Sequence, residues 1–130
     1  MKFLRIKETC LYLSDLEKAK TFYNGLLGLP IIDHAEGKHL FLRCGGSVLL
    51  IFNPEDSKKK KSPPAHFGSG KQHFAFEVLL SDYEKAKQEI KSKGIKIIDE
   101  VVWTSGRESF YFEDPEGNVL EIIPDEGIWD

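Results

Sequence analysis

The sequence predicts an α+β protein in which one βαβββ module is written twice. Three matches carry this prediction. Ser14-Asp15-Leu16-Glu17-Lys18-Ala19-Lys20 returns as Ser81-Asp82-Tyr83-Glu84-Lys85-Ala86-Lys87, identical at six of seven positions. Downstream, Gly28-Leu29-Pro30-Ile31-Ile32-Asp33 pairs with Gly94-Ile95-Lys96-Ile97-Ile98-Asp99. Further on, Gly46-Ser47-Val48-Leu49-Leu50-Ile51 pairs with Gly117-Asn118-Val119-Leu120-Glu121-Ile122. A duplicated module sets up a pseudo-twofold cleft, and the positions where the copies differ are where chemistry is expected.

Each copy opens with a strand of alternating character. In Glu8-Thr9-Cys10-Leu11-Tyr12-Leu13, one face takes Thr9, Leu11 and Leu13, and the other takes Glu8, Cys10 and Tyr12. In His73-Phe74-Ala75-Phe76-Glu77-Val78, Phe74, Phe76 and Val78 share the apolar face, and His73, Ala75 and Glu77 share the other. A helix follows each strand. Ser14 with Glu17, and Ser81 with Glu84, fit the capping box, in which each side chain satisfies a free backbone N–H. Leu16, Ala19, Tyr23 and Leu26 form the apolar stripe of the first helix, and Tyr83, Ala86 and Ile90 that of the second. Gly28 and Gly94 stand as helix stops. Three strands then close each copy, over 30–33, 39–43 and 47–52 in the first and 96–103, 108–113 and 118–123 in the second. Asp114-Pro115-Glu116-Gly117-Asn118 reads as a hairpin turn.

The modules therefore run over about 4–53 and 71–124 of a single domain, joined by residues 54–70 and followed by a tail, 125–130. The joining stretch carries Pro54, Lys58 to Lys61, Pro63, Pro64, Gly68 and Gly70 and reads as a mobile linker or lid. Its lysine run reads as a solvated loop. Trp129 in the tail is expected to pack on something, a partner subunit included.

Composition excludes several classes. At 130 residues the chain can bury one ordinary core, and 41% apolar with 30% charged residues is a globular balance. A net charge of −3 gives no pull toward nucleic acid or anionic membrane. No apolar run approaches the roughly 20 residues of a membrane helix, and the start lacks a secretory h-region. Two cysteines, Cys10 and Cys44, make no disulfide framework. The expectation is a cytoplasmic protein that binds a small molecule, with neither nucleic acid nor membrane as partner.

The paired layout and two motifs resemble the vicinal oxygen chelate superfamily, which includes glyoxalase I, extradiol dioxygenases, fosfomycin thiol transferases and bleomycin-binding proteins. Residues 14–29 look like its "DL…FY…LLG" segment. Ser109-Phe110-Tyr111-Phe112-Glu113-Asp114-Pro115-Glu116-Gly117-Asn118-Val119-Leu120-Glu121 is close to its "FxDPxGNxxE" ending. The resemblance implies a cleft holding a divalent metal, with ligands on the first and last strands of each module. Carried over by position, these are Glu8, Leu50, His73 and Glu121. Leucine cannot coordinate, so the implied metal ligands are Glu8, His73 and Glu121. One imidazole and two carboxylates suit Mn²⁺, Fe²⁺, Zn²⁺, Co²⁺ or Ni²⁺. Such an ion would polarise substrate oxygens, and Glu121 or Glu8 would also exchange a proton with substrate, as catalytic residues.

The internal repeat aligns Glu8 with His73 and Leu50 with Glu121 independently of the family. Bland alternatives stand beside each assignment: a surface ion pair for Glu8, a hydrogen-bonded histidine for His73, an exposed carboxylate for Glu121. Leu50 departs from glyoxalase I, which usually has a fourth ligand there. Glu8 departs from the histidine of the dioxygenases and thiol transferases. Alternation places Tyr12, Glu77, Ser109 and Tyr111 on the substrate cleft, with His39 and Arg43 less securely placed, and Arg107 is a candidate anion holder. Cys10 reads as a filler or a reactive thiol; His34 and His66 receive no role. The sequence thus points to a homodimeric, metal-dependent enzyme of lyase, isomerase, thiol transferase or dioxygenase type, acting on a small oxygen-bearing substrate. The alternative is a metal-free drug-binding protein of the bleomycin-resistance type, with Trp103, Tyr111 and Phe52 stacking on its ligand.

Overall fold

A computed structural model describes residues 1–130, which divide into two compact units, residues 1–69 and 70–130. Each holds one four-stranded mixed sheet with its helix on one face. In the first unit, β1 (Glu8–Tyr12), β2 (Ile31–Ala35), β3 (His39–Cys44) and β4 (Ser47–Phe52) are ordered β1-β4-β3-β2. In the second, β5 (His73–Val78), β6 (Ile97–Val102), β7 (Glu108–Glu113) and β8 (Val119–Pro124) repeat that order as β5-β8-β7-β6. The first and last strands of each unit pair in parallel, and the remaining pairs are antiparallel.

The duplication extends to defects. The register slips between Ile31 and Asp33 in one copy and between Ile97 and Asp99 in the other. An extra residue in one strand bends it and re-aims the side chains beyond. Glu8 lies opposite Val48 as His73 lies opposite Val119, and Cys10 lies opposite Leu50 as Ala75 lies opposite Glu121. The two alignments drawn from the repeat are thus the alignments of the strands.

In the first unit, Leu11, Leu13, Leu40, Leu42, Leu49 and Ile51 are buried on the sheet face covered by α1 (Leu16–Lys20) and the turn after it. In the second, Phe110, Phe112, Leu120 and Ile122 are buried with Tyr83 and Ile90 of α3 (Tyr83–Ser92). Full burial of a ring such as Phe110 or Phe112 contributes about 2 kcal/mol.

The helix starts differ from the capping boxes expected. Asp15, not Ser14, caps α1, its carboxylate accepting from the Lys18 amide at 3.0 Å. In the second unit a 3₁₀ turn, Leu80–Asp82, leads into α3, and Asp82 at the N-cap makes no side-chain cap bond. A 3₁₀ turn is tighter than the α-helical turn the box requires, so the register between Ser81 and Glu84 is lost. The first helix also changes character, running as π-helix over Thr21–Leu26, with the Leu27 amide donating to the Phe22 carbonyl at 2.9 Å. The wider turn buries the consecutive residues Phe22 and Tyr23, which a 3.6-residue stripe does not do. Gly28 and Gly94 end the helices at φ of 76° and 75°, the left-handed conformation that favours glycine.

The joining stretch, expected as a linker or lid, carries structure of its own. A short helix, α2 (Pro54–Ser57), is capped by Asn53, and Ser57 is fully buried. The Lys60 ammonium stands 5.8 Å from the centre of the Phe52 ring, and the His66 Nδ1 lies 2.8 Å from the Tyr12 hydroxyl. Residues 54–69 therefore belong to the first unit. Trp129 is 87% exposed.

The 114–118 hairpin is held from inside. The buried Asp114 carboxylate accepts from the amides of Glu116 and Asn118 and from the Asn118 side-chain amide, at 2.9, 3.0 and 2.8 Å. Removing it strands buried donors, so Asp114→Ala is expected to cost about 3 kcal/mol in urea unfolding. A loss under 1 kcal/mol would contradict this account of the turn.

Candidate functional site

The polar face of the second sheet is built by register. Ala75 and Tyr111 both lie opposite Glu121, one on each side of β8, and His73 lies opposite Val119. This brings His73 Nε2 to 3.3 Å from Glu121 Oε2. Glu121 is 7% exposed, on a strand whose neighbours Leu120 and Ile122 are buried toward the helix. An ionised carboxylate so placed needs polar partners.

His73 Nδ1 lies 2.9 Å from the Val119 carbonyl. A carbonyl only accepts, so Nδ1 carries a proton. In the neutral ring Nε2 then presents a lone pair toward the Glu121 carboxylate. Two acceptors 3.3 Å apart require a cation between them or a proton on Nε2. Two ligand atoms each about 2.1 Å from a shared ion at near right angles are themselves about 3 Å apart. A backbone carbonyl on the remote imidazole nitrogen is also the usual way a metal-binding histidine is oriented. The pair thus fits a divalent ion by spacing, by tautomer and by chemistry.

The third predicted ligand, Glu8, stands on β1 of the first unit, exposed and opposite Val48. No three His, Cys, Asp or Glu side chains are grouped so as to hold a metal ion. The structure therefore brings together two of the three. At the fourth position Leu50 lies beside Cys10 and Phe41.

Beside the pair, Tyr111 lies opposite Glu121 and shares its face of β7 with Ser109. Burial holds its pKa above the ordinary tyrosine value, the nearby Ser109 hydroxyl opposing that and the Glu121 carboxylate adding to it. Ser109 is fully buried, its oxygen accepting from the Trp103 indole N–H at 3.0 Å. Ser109 and Tyr111 are thus on the expected face, with Ser109 engaged inside the protein. Glu77 is exposed on the same side of β5. Arg107 is elsewhere: it sits before β7, bonds Glu126 at 3.4 Å, and lines a cavity of about 200 Å³ with Tyr83 and Glu84, bordered by neither His73 nor Glu121.

On the first unit, Tyr12 lies on the polar side of β1 and joins an aromatic group of which sequence reasoning named His39 and Phe52 but missed Phe41 and His66. His39 stacks on Phe41 at 4.1 Å, Phe52 meets Phe41 edge-on at 5.3 Å, and His66 meets Phe52 edge-on at 4.6 Å. His39 also reaches Asp33 at 2.7 Å, holding that carboxyl below the usual range. Phe41 could have been found from alternation across β3. His66 could not, because nothing in a Pro- and Lys-rich stretch says that it folds back.

The family model described as Glyoxalase/Bleomycin resistance protein/Dioxygenase superfamily matches residues 5–122. The chain belongs to this superfamily. Among its relatives is the glutathione transferase FosA of Serratia marcescens, 34% identical over 116 residues that span 86% of this chain and 74% of that protein. The uncharacterized protein YwkD of Bacillus subtilis is 33% identical over 118 residues, spanning 84% and 88% respectively. The crystal structure of lactoylglutathione lyase from Agrobacterium tumefaciens superposes with a TM-score of 0.91 at 30% identity, covering 96% of each chain. A superfamily fold with two such enzymes among its relatives, and His73 and Glu121 paired on it, directs attention to the cleft face of the second sheet.

The thiol of Cys10 gives no sign of activation. Burial first, and the Glu8 carboxylate second, push its pKa up, and burial does the same for Cys44. Only the thiolate reacts. At pH 8 both thiols are therefore expected to alkylate with iodoacetamide more slowly than free cysteine. Glu8→Gln, which removes a nearby negative charge, should speed Cys10. A Cys10 rate at or above that of free cysteine would restore it as a nucleophile.

Proposed function

We propose that the protein is a divalent-metal-dependent enzyme that transfers a thiol to a small oxygen-bearing substrate. The observation that carries the reading is the His73–Glu121 pair, with Nδ1 held by Val119 and Nε2 turned to the carboxylate. Glu8, His73 and Glu121 are the proposed ligands, Glu8 coming from the same chain or from a partner copy. The relationship to FosA supports thiol transfer. The leucine at position 50 speaks against the four-ligand glyoxalase I arrangement, although a lactoylglutathione lyase shares the fold.

When bound, the ion would act as a Lewis acid toward a substrate oxygen, stabilising negative charge that develops there. The chain's own residues supply the rest. Tyr111 lies opposite Glu121 on the neighbouring strand and shapes that face beside it. Glu8, exposed, is the carboxylate free to exchange a proton with substrate or thiol, with Glu121 as the second catalytic carboxylate. Tyr12, Glu77 and Tyr111 are the proposed substrate-facing groups.

A dimer belongs to this proposal. Phe3, Leu4 and Ile6 are each at least 80% exposed, an apolar segment that a second copy would cover. Two unpaired cysteines accord with a reducing compartment, and no helix is long and apolar enough to cross a membrane.

The metal-free binding reading keeps one observation in its favour. The His39, Phe41, Phe52 and His66 rings form an aromatic wall able to stack on a planar ligand. Metal stoichiometry separates the two readings. Titration with Mn²⁺, Ni²⁺ and Zn²⁺ is expected to show one ion per chain in the wild type. His73→Ala, Glu121→Ala and Glu8→Ala should each weaken binding at least tenfold. Activity should then appear with fosfomycin and a thiol rather than with methylglyoxal hemithioacetal or catechols. Absence of stoichiometric uptake would sink the enzyme reading and favour the binding protein.

A further inference from the structure

The cavity beside the start of α3 takes no part in the proposed metal site. It measures about 200 Å³ and is lined by Leu80, Tyr83, Glu84, Arg107, Glu108 and Pro124, all of the second unit. Alternation along β7 puts Glu108 with Phe110 on the face that α3 covers, away from Ser109 and Tyr111. On that face the Tyr83 and Phe110 rings meet edge-on at 5.6 Å. Tyr83 is only 5% exposed, and its buried hydroxyl has no hydrogen-bond partner in the protein. A polar group taken out of water is costly until something bonds it. Burial first, then the carboxylates of Glu108, Glu100, Glu84 and Glu121, hold its pKa well above the ordinary tyrosine value. It therefore stays a neutral hydroxyl, able to donate once and to accept.

The charges lining the cavity are unevenly matched. Glu84 and Glu108 both border it, and the cations nearby are engaged with other carboxylates. Lys87 holds Glu100 at 2.8 Å, and Arg107 holds Glu126 at 3.4 Å. The Arg107–Glu126 pair is long and partly exposed, 40% and 56% for the two side chains. Such a pair contributes little, so another carboxylate exchanges with Glu126 at small cost. The arginine stem, by contrast, is held in place. Gly127 has a φ of 85°, and a Cβ there would stand 2.6 Å from the Arg107 Cγ and 2.8 Å from its Nε. The tail thus lies close against the stem while the guanidinium borders the cavity.

We propose that this cavity binds a small zwitterion, a free α-amino acid with a short aliphatic side chain. An ammonium group carries three N–H donors. The cavity supplies three kinds of acceptor for them: the Tyr83 oxygen and the carboxylates of Glu84 and Glu108. The ligand's carboxylate meets Arg107, whose planar fork suits a two-point contact. Leu80 and Pro124 form the apolar wall for the side chain. A simple amine leaves Arg107 unused, and a simple acid meets Glu84 and Glu108 with no positive charge to answer them. Occupancy needs no metal, because neither His73 nor Glu121 borders the cavity.

The test titrates L-alanine and L-leucine into the ¹⁵N-labelled full chain without added metal. Beside them run 3-methylbutylamine, which is leucine without its carboxylate, and 4-methylpentanoate, which is leucine without its amine. The amides of Glu84, Gly106 and Glu108 are expected to shift with an amino acid, while those of His73 and Val119 stay put. Each half-molecule should bind at least about tenfold more weakly than leucine, the loss of one charge-assisted contact. Arg107→Gln should bring leucine down to the affinity of the amine and leave the amine unchanged. Tyr83→Phe keeps the ring and should weaken leucine about tenfold. Its midpoint of urea unfolding without ligand should stay level or rise, because the hydroxyl it removes has no partner. Dissociation constants above about 10 mM for both amino acids overturn the site. An amine as tight as leucine overturns the zwitterion, and wild-type affinity in Tyr83→Phe overturns the part given to the hydroxyl.

Discussion

The parallel pairing of β5 with β8 is the constraint on which the site depends. It sets His73 against Val119 and Ala75 against Glu121. From that register follow the bond that orients the imidazole and the small side chain that leaves room beside the carboxylate. A one-residue slip would turn Glu121 into the helix-covered face among Leu120 and Ile122, where a charge has no partners. The apolar core on the reverse side resists such a slip, because Leu120 and Ile122 would both turn out of it. The side chains that bury the sheet thereby hold the site in register.

Duplication allowed the two copies to solve the same packing problem differently. Where one has Leu50, Phe41 and His39 on its polar-side register, the other has Glu121, Tyr111 and Ser109. The first fills its face with stacked rings closed over by His66. The second keeps a nearly buried carboxylate and sets it beside the His73 imidazole and opposite Tyr111. A buried charge is tolerated only when its oxygens are occupied. The polar side chains around Glu121 are thus a condition of keeping it, whatever ligand it holds.

Membership of the glyoxalase, bleomycin-resistance and dioxygenase superfamily accounts for the architecture and leaves the reaction to the side chains that differ. On the proposed metal reading, Leu50 and Glu8 are those differences: a leucine where a ligand is expected, and a carboxylate where an imidazole is. Both alter the electrostatics any substrate would meet, which is why the superfamily alone does not name the reaction.

Much of this was legible in the linear chain. Repeated motifs and alternation located all eight strands, with ends off by one or two residues, and the alignment of Glu8 with His73 and Leu50 with Glu121 proved to be that of the strand registers. These features are local or periodic, so neighbouring residues encode them. Tertiary structure decided the rest. Asp15 rather than Ser14 took the cap because the exact helix start depends on packing, and the π-helical turn arose to bury Phe22 beside Tyr23. His66 folded back onto Tyr12, and the Trp103 indole found Ser109 across a turn. Such contacts join residues by direction in space, which no spacing in a sequence records. The sequence by itself determined which residues could carry chemistry, and tertiary structure decided which of them hold one another in place.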